Sequence, residues 1–470
     1  MTDIWTLGLT GMRRMLDSGE ATPIDLVEAC LQRITALDAD LKAFVHVDSD
    51  RALAAAGDAA KALAAGQGGP LCGLPLALKD ICDVADMPTG NGSHLTEGAM
   101  APGNSVVAQR LAEAGAVIIG KTETHEFAIG GPDTALPHGP ARNPWNLAHY
   151  PGGSSSGSGS AVAAGLVPGA IGTDTGGSIR IPAAFCGLAG LKPTYGRVSR
   201  RGVSPLAFSL DHIGPMTWTV EDNALMLAAM AGHDPADPAS ADRPVDDYAA
   251  AIGRSVKGLR VGLIDAFHGD PVFDPEGIAA FDAAASVLRA AGATVAPVAA
   301  SALQDYVACN RVILLSEAYA VHEADLAARP DRYGPYLRAR ILPGALLSAA
   351  DYVQALRRRR ELCAEMAGIL DRVDVLLVIG AVGPAPRIEA VRPEALLTGP
   401  PSVTSPFNVT GLPALSVCAG FTTAGLPLSV QVVGRPFDEA TVYSVGHVIE
   451  AELGERDRRP DIALGTAVAA

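Results

Sequence analysis

The chain has 470 residues, 49% of them apolar and 19% charged, so it can bury a large core and is not a disordered protein. A net charge of −15 excludes a general binder of phosphate backbones, though not a partner that itself brings a nucleic acid. Seven cysteines without a C-x-x-C pair, and an N-terminus with Asp3, Arg13 and Arg14 in place of an apolar block, point to a soluble cytoplasmic protein.

Residues 24–37 repeat apolar side chains at helical spacing behind Thr22-Pro23, a cap and first-turn signal. Residues 75–82 read as a strand, 106–114 as a helix, 116–120 as a short buried strand, 158–166 as a small-residue helix and 168–173 as another strand. The acidic, Pro-rich run from His233 to Tyr248 reads as surface linker. Beyond it come strands at 259–265, 373–379 and 428–433, and helices at 277–291 and 438–453. Alternation of this kind predicts an α/β fold. The chain is expected to form one domain: a first half over 1–232, a linker over 233–258, and a second half over 259–470.

No charged side chain falls between Arg142 and Asp174, or between Glu394 and Arg435. Gly, Ser, Pro and Asn interrupt both stretches too often for a lipid-facing helix, so both are expected inside the protein rather than in a membrane. A buried run rich in Ser needs a partner for each hydroxyl, which suggests a polar site held in a packed scaffold.

Several motifs match on paper and fail on context. Gly115–Thr122 satisfies the phosphate-loop pattern, but its intervening AVII is an apolar strand that follows a helix. Gly153–Gly157 fits the nucleophile elbow with Ser155 at its centre and His322 or His447 downstream, yet no strand precedes it. His125-Glu126 and His322-Glu323 both lack the second His of a zinc site. Arginines 357–360 read as a solvated helix face.

Three pieces cohere. Lys79 lies within the apolar LPLALKDI, where burial disfavours its charge and fits it to act as a base; the plainer alternative is a lysine paired with Asp80. The Ser-rich loop Gly152–Gly159 runs straight into a helix, which argues for a fixed loop over a flexible one. Asp174-Thr-Gly-Gly-Ser178 places two glycines before a serine, so successive N–H groups can converge on an oxyanion.

Together these residues resemble the amidase signature family, serine hydrolases with a Ser–cis-Ser–Lys triad. The resemblance runs through GGSS, then GTDTGGSIR and PAAFCGLAGLKPTYGRVS up to Ser199, and more loosely through SLDHIGPM (209–216) and NVTGLPALSV (408–417). It implies a large mixed, twisted sheet covered by helices on both faces. It makes Ser178 the acylated nucleophile, Ser154 the bridging serine behind a cis peptide, and Lys79 the base, with no cofactor and no metal. Thr175, Gly176, Gly177 and Ser178 would supply the oxyanion hole, Ser155 would support the network, and Ala128 would line the substrate pocket. Ser156 stands where many relatives carry Gly. The implied activity is cleavage of a small carboxamide, carbamate or urea-like substrate. The alternative is the A subunit of a glutamyl-tRNA amidotransferase, which frees ammonia from glutamine, and a non-enzymatic binding module is the remote one. Expected partners are a small amide and, from family behaviour, a second copy in a homodimer, with no direct nucleic acid. The variable pocket is expected from 265–350 and 400–408, with Arg311, Arg338 and Arg340 available for a substrate carboxylate.

Overall fold

The computed structural model describes residues 4–264, 267, 272–392 and 402–462. Eleven strands make one sheet: β1 (Phe44–Val47), β2 (Pro75–Lys79), β3 (Val117–Thr122), β4 (Gly169–Asp174), β5 (Ala189–Lys192), β6 (His212–Thr217), β7 (Arg260–Ile264), β8 (Thr294–Val298), β9 (Val375–Ile379), β10 (Ala414–Phe421) and β11 (Pro427–Gly434). Their order is β1-β3-β2-β4-β6-β5-β10-β11-β9-β7-β8, so strands from both halves of the sequence share one continuous sheet. β2 runs parallel to β3 and β4, and β7 parallel to β8 and β9. The pairings β1–β3, β4–β6, β5–β6, β5–β10, β10–β11 and β9–β11 are antiparallel, which makes this the expected mixed sheet.

Strands buried on both faces divide their side chains between two cores by the period-2 rule. Leu76, Leu78, Ile118 and Ile171 enter one core, whereas Ala77, Val117, Ile119 and Ala170 enter the other. The second core is closed by the helix Pro23–Leu41, which starts as the sequence predicts: the Thr22 hydroxyl accepts from Asp25 N–H, the Asp25 carboxylate returns the bond, and Pro23 opens the first turn.

The predicted elements appear with small shifts. The small-residue helix spans Ser156–Ala163 and so starts two residues earlier. The predicted strand at 259–265 ends at Ile264, and Asp265 lies outside the described residues, as do parts of the expected pocket segments (265–266, 268–271, 400 and 401). Two long helices follow: Leu303–Ala328, which the pattern left unassigned, and Ala349–Leu370, which extends the helix expected around the four arginines. The second carries the four arginines, and one of them is no solvated face: Arg359 donates to the carbonyls of Val409 (2.8 Å) and Ser209 (2.9 Å). Residues 233–258 are packed on both halves: buried Asp234 and Asp237 accept from the Ser199 hydroxyl (2.7 Å) and the Arg200 amide (2.8 Å), and Ala251 C=O accepts from the Ser444 hydroxyl (3.0 Å). Among the described residues, no helix is long and apolar enough to cross a membrane.

Candidate active site

Parallel neighbours β2 and β4 are in register at Ala77–Ala170 and Leu78–Ile171, so their C-terminal ends emerge side by side. Those ends carry Lys79 and Asp174, at the strand edge where open α/β sheets bind ligands. Lys79 is fully buried, and its Nζ lies 2.8 Å from Ser154 Oγ and 2.8 Å from Thr173 Oγ1. Burial pulls its pKa from 10.5 down to about 7. Asp80 does not pair with it; Asp80 takes Lys121 instead, at 3.1 Å.

Most of the charge-free stretch passes through the interior, every residue from Pro151 to Thr175 being buried, whereas 145–150 reach the surface and Asn146 is exposed. The hydroxyls of Ser154, Ser155, Ser158 and Ser160 find partners. Ser155 Oγ bridges the Thr173 backbone, donating to the carbonyl (3.3 Å) and accepting from the amide (3.2 Å). Ser158 donates to Ile171 C=O (2.8 Å) and Ser160 to Arg142 C=O (2.8 Å). These bonds tie the helix Ser156–Ala163 and the loop before it against β4. The peptide Gly153–Ser154 is cis.

Beyond β4 the chain turns around one carboxylate. Asp174 Oδ1 accepts from Gly177 N–H (2.8 Å), and Oδ2 from the amides of Ile179 (3.2 Å) and Arg180 (3.4 Å). Arg180 closes a two-pronged bond on the same carboxylate through Nε (3.0 Å) and Nη2 (2.9 Å). Burial alone would raise the pKa of Asp174, but the guanidinium of Arg180 outweighs it and holds the carboxylate well below its usual range. Because Asp174 takes the amides of 177 and 179, those of Gly176 and Ser178 are left without a protein acceptor among the described residues. Two N–H groups on either side of Gly177, one of them belonging to half-buried Ser178, are what an oxyanion hole requires. Gly177 is required here: its φ is +137°, and a Cβ would fall inside contact distance of Thr404 Oγ1.

Ser178 sits on this turn, with its carbonyl accepting from Ser155 N–H at 3.3 Å. The structure therefore joins Lys79 to Ser154, and the Ser154–Ser155 segment to Ser178. No hydrogen bond links the hydroxyls of Ser154 and Ser178 among the described residues.

A family model described as Amidase matches residues 25–443. The chain belongs to the amidase signature family. It is 39% identical to the A subunit of a glutamyl-tRNA(Gln) amidotransferase from Chloroflexus aggregans, over 98% of this chain and 100% of the relative. Among solved structures it resembles one from a vestigial protein complex bearing on the origins of an s-triazine catabolic enzyme (33% identity, TM-score 0.89, 95% and 98% covered). It also resembles the native peptide amidase of Stenotrophomonas maltophilia (32% identity, TM-score 0.84, 98% and 99% covered). The Chloroflexus relative is by name one part of a larger enzyme. That corrects the expectation that partners of this chain stop at a small amide and a second copy.

Within this member of the family, Ala128 is buried in a short 3₁₀ turn, Glu126–Ala128, where both Phe127 (φ +45°) and Ala128 (φ +61°) are left-handed without being glycine. Such conformations need support from their surroundings. Glu126 supplies it, accepting from Ser93 Oγ (2.6 Å) and from Gly334 N–H (2.9 Å). Ala128 lines a cavity of ≈ 330 Å³ with Thr173, Thr175, Ile81 and Leu206. Of the arginines considered for a carboxylate, Arg340 donates to the carbonyls of Ile129 (3.0 Å) and Gly130 (2.6 Å), beside Ala128. Arg338 faces Asp331 at the surface, 3.9 Å away, and Arg311 is half-buried.

Several residues of the site were not singled out from the sequence. Thr173, the second partner of Lys79, and the Asp174–Arg180 pair all lie within GTDTGGSIR, so the letters were visible while their contacts were not. Arg180 also reaches Thr404 C=O (2.8 Å), Gln431 Oε1 (2.9 Å) and Asn408 Oδ1 (2.7 Å), which fastens the turn to the far end of the chain. Glu123 is buried with its pKa pushed up to about 8 by burial, against the pull of the Lys79 charge. The lysine of the rejected phosphate-loop pattern, Lys121, is spent on Asp80, Thr89 Oγ1 and Pro88 C=O.

Proposed function

We propose that this amidase cleaves an amide C–N bond through an acyl-enzyme on Ser178. The observation that carries the reading is the buried 2.8 Å contact between Lys79 Nζ and Ser154 Oγ. An uncharged amine has two hydrogens and one lone pair. One hydrogen goes to Thr173 Oγ1, and the lone pair is left to take the proton of Ser154. Ser154 Oγ in turn takes the proton of Ser178, whose oxygen bonds to the carbonyl carbon. The tetrahedral oxygen gathers negative charge against the amides of Gly176 and Ser178, with Thr175 and Gly177 framing them. Loss of one such donor typically raises the barrier by about 3 kcal/mol. Collapse breaks the C–N bond, the relay returns its proton to the leaving nitrogen, and water then releases the acyl group.

Likeness to the Chloroflexus amidotransferase component over 98% of the chain favours work inside a complex, with glutamine as the amide that yields ammonia. A free-standing amidase acting on another small amide is the second reading, supported by the peptide amidase likeness. Ammonia release should be measured on glutamine and on a panel of primary amides, anilides, carbamates and ureas. The chain would be tested alone and after co-expression with the other components of such an amidotransferase. Glutamine turnover that appears or rises with those components supports the first reading; glutamine inert throughout and another amide cleaved by the chain alone supports the second. For either, a fluorophosphonate should add its mass to Ser178 and leave Ser178→Ala unmodified.

A further inference from the structure

His125, buried, and Tyr150, half-buried, take no part in the proton route above, yet both lie against it. The backbone N–H of His125 donates to the carbonyl of Ser154 at 3.1 Å. Its ring stacks on Tyr150, with centroids 5.7 Å apart and planes 17° from parallel, and Tyr150 OH meets His125 Nε2 at 3.0 Å. Both side chains press on the Cα of Gly153. A Cβ there would lie 2.6 Å from His125 Nε2, and closer still to His125 Cε1 and the Tyr150 hydroxyl. Tyr150 is itself anchored, its N–H donating to Pro386 C=O at 2.8 Å and its ring lying edge-on to Phe185 at 6.4 Å. Phe185 belongs to the helix Arg180–Cys186 that follows the Ser178 turn. The pair thus touches the segment carrying Ser154 on one side and the helix behind Ser178 on the other.

The pair is uncharged. Burial holds His125 well below its ordinary pKa and raises that of Tyr150, so a neutral imidazole and a neutral phenol share this hydrogen bond without adding a cation near Lys79. Such a pair can fix geometry without disturbing the amine. The ring fills the space over Gly153, the His125 amide holds the Ser154 carbonyl, and the Ser154 hydroxyl is left to face Lys79.

We propose that His125, held by Tyr150, is a positioning residue that aims Ser154 between Lys79 and Ser178. This rests on Ser154 being the bridging hydroxyl. The test is the second-order rate constant for fluorophosphonate labelling of Ser178, divided by the active fraction from mass spectrometry. It would be run on the wild type, His125→Ala, His125→Gln, Tyr150→Phe and Ser154→Ala. Misplacing a reacting group by about 1 Å can lower a rate about 100-fold. His125→Ala should therefore label about 10- to 100-fold more slowly per intact site, Tyr150→Phe about 3- to 10-fold more slowly, and His125→Gln, which keeps an acceptor for Tyr150, should recover part of the loss. A purely structural role would lower the active fraction and leave the rate per site unchanged. The inference is overturned if His125→Ala and Tyr150→Phe both label within twofold of wild type per intact site. Should His125→Ala fail to fold, Tyr150→Phe and His125→Gln decide the matter by the same criterion. Ser154→Ala separates the two levels: wild-type labelling there overturns the proton route itself, whereas slow labelling there with fast labelling in the His125 and Tyr150 variants overturns only the positioning role.

Discussion

Lowering the pH from about 8 to about 5 should return the amine of Lys79 to its ammonium form and stop the proton relay at its first step. The size of the effect follows from burial. A lysine titrating at 10.5 is neutral in only about one molecule in 3,000 at pH 7, whereas Lys79, titrating at about 7, is neutral in about half. The fold therefore supplies a roughly thousandfold gain in competent base at neutral pH. The assay is the pseudo-first-order rate of Ser178 labelling by a fluorophosphonate between pH 5 and pH 9, with reagent hydrolysis subtracted at each point. The rate should climb about tenfold per pH unit below pH 6, bend near 7 and level off above about 8. A profile flat across that range, or one still rising steeply at pH 9, would refute the idea that a neutral buried lysine drives the chemistry.

Four further outcomes follow from the same geometry. The folded pKa of Lys79 lies below its unfolded value, so between about 7 and 10.5 the unfolded chain holds a proton that the folded chain lacks, and stability rises with pH across that window. From pH 6 to pH 9 the gain is about 2.7 kcal/mol, and Lys79→Met should lack it when urea unfolding is compared at the two pH values. Glu123, pushed up to about 8 by burial, is mostly a neutral acid where Lys79 titrates, so Glu123→Gln should leave the midpoint of the labelling profile within about 0.3 pH unit of wild type. Arg180→Met leaves the Asp174 carboxylate buried and unpaired, and the unfolding free energy should drop by about 3–5 kcal/mol in denaturant titration. Gly177→Ala sets a Cβ against Thr404 Oγ1 at a left-handed φ; labelling per folded molecule should fall at least about 100-fold, with far-ultraviolet circular dichroism unchanged.

What could be read from the sequence depended on whether a contact was local. Lys79 betrayed itself by standing in an apolar strand, and the charge-free run at 143–173 announced a buried polar segment. The Gly-Gly-Ser turn could be read from its own two glycines and serine, though not the Asp174 and Arg180 contacts that hold it. The partners of Arg180 at 404, 408 and 431 could not be read in this way, since nothing in a strand or helix period couples positions more than 220 residues apart. The same holds for His125 and Tyr150, which meet only because β3 ends beside the loop before Ser154. The helix Leu303–Ala328 escaped for a different reason: it is packed on more than one side, with Asn310, Glu317 and His322 among its buried positions, so no single apolar stripe marks it. Arg359 misled because its neighbours in the run are exposed while its own guanidinium caps two carbonyls.

The knot at Arg180 also sets an order of events during synthesis. The guanidinium that shapes the nucleophile turn pairs with nearby Asp174 but is completed by Thr404, Asn408 and Gln431, the last of them on β11. A ribosome-bound chain that has emerged only to residue 380 holds Lys79, Ser154 and Ser178 but not the clasp that closes around them. Products truncated before Thr404 should therefore carry the three side chains without the reactivity.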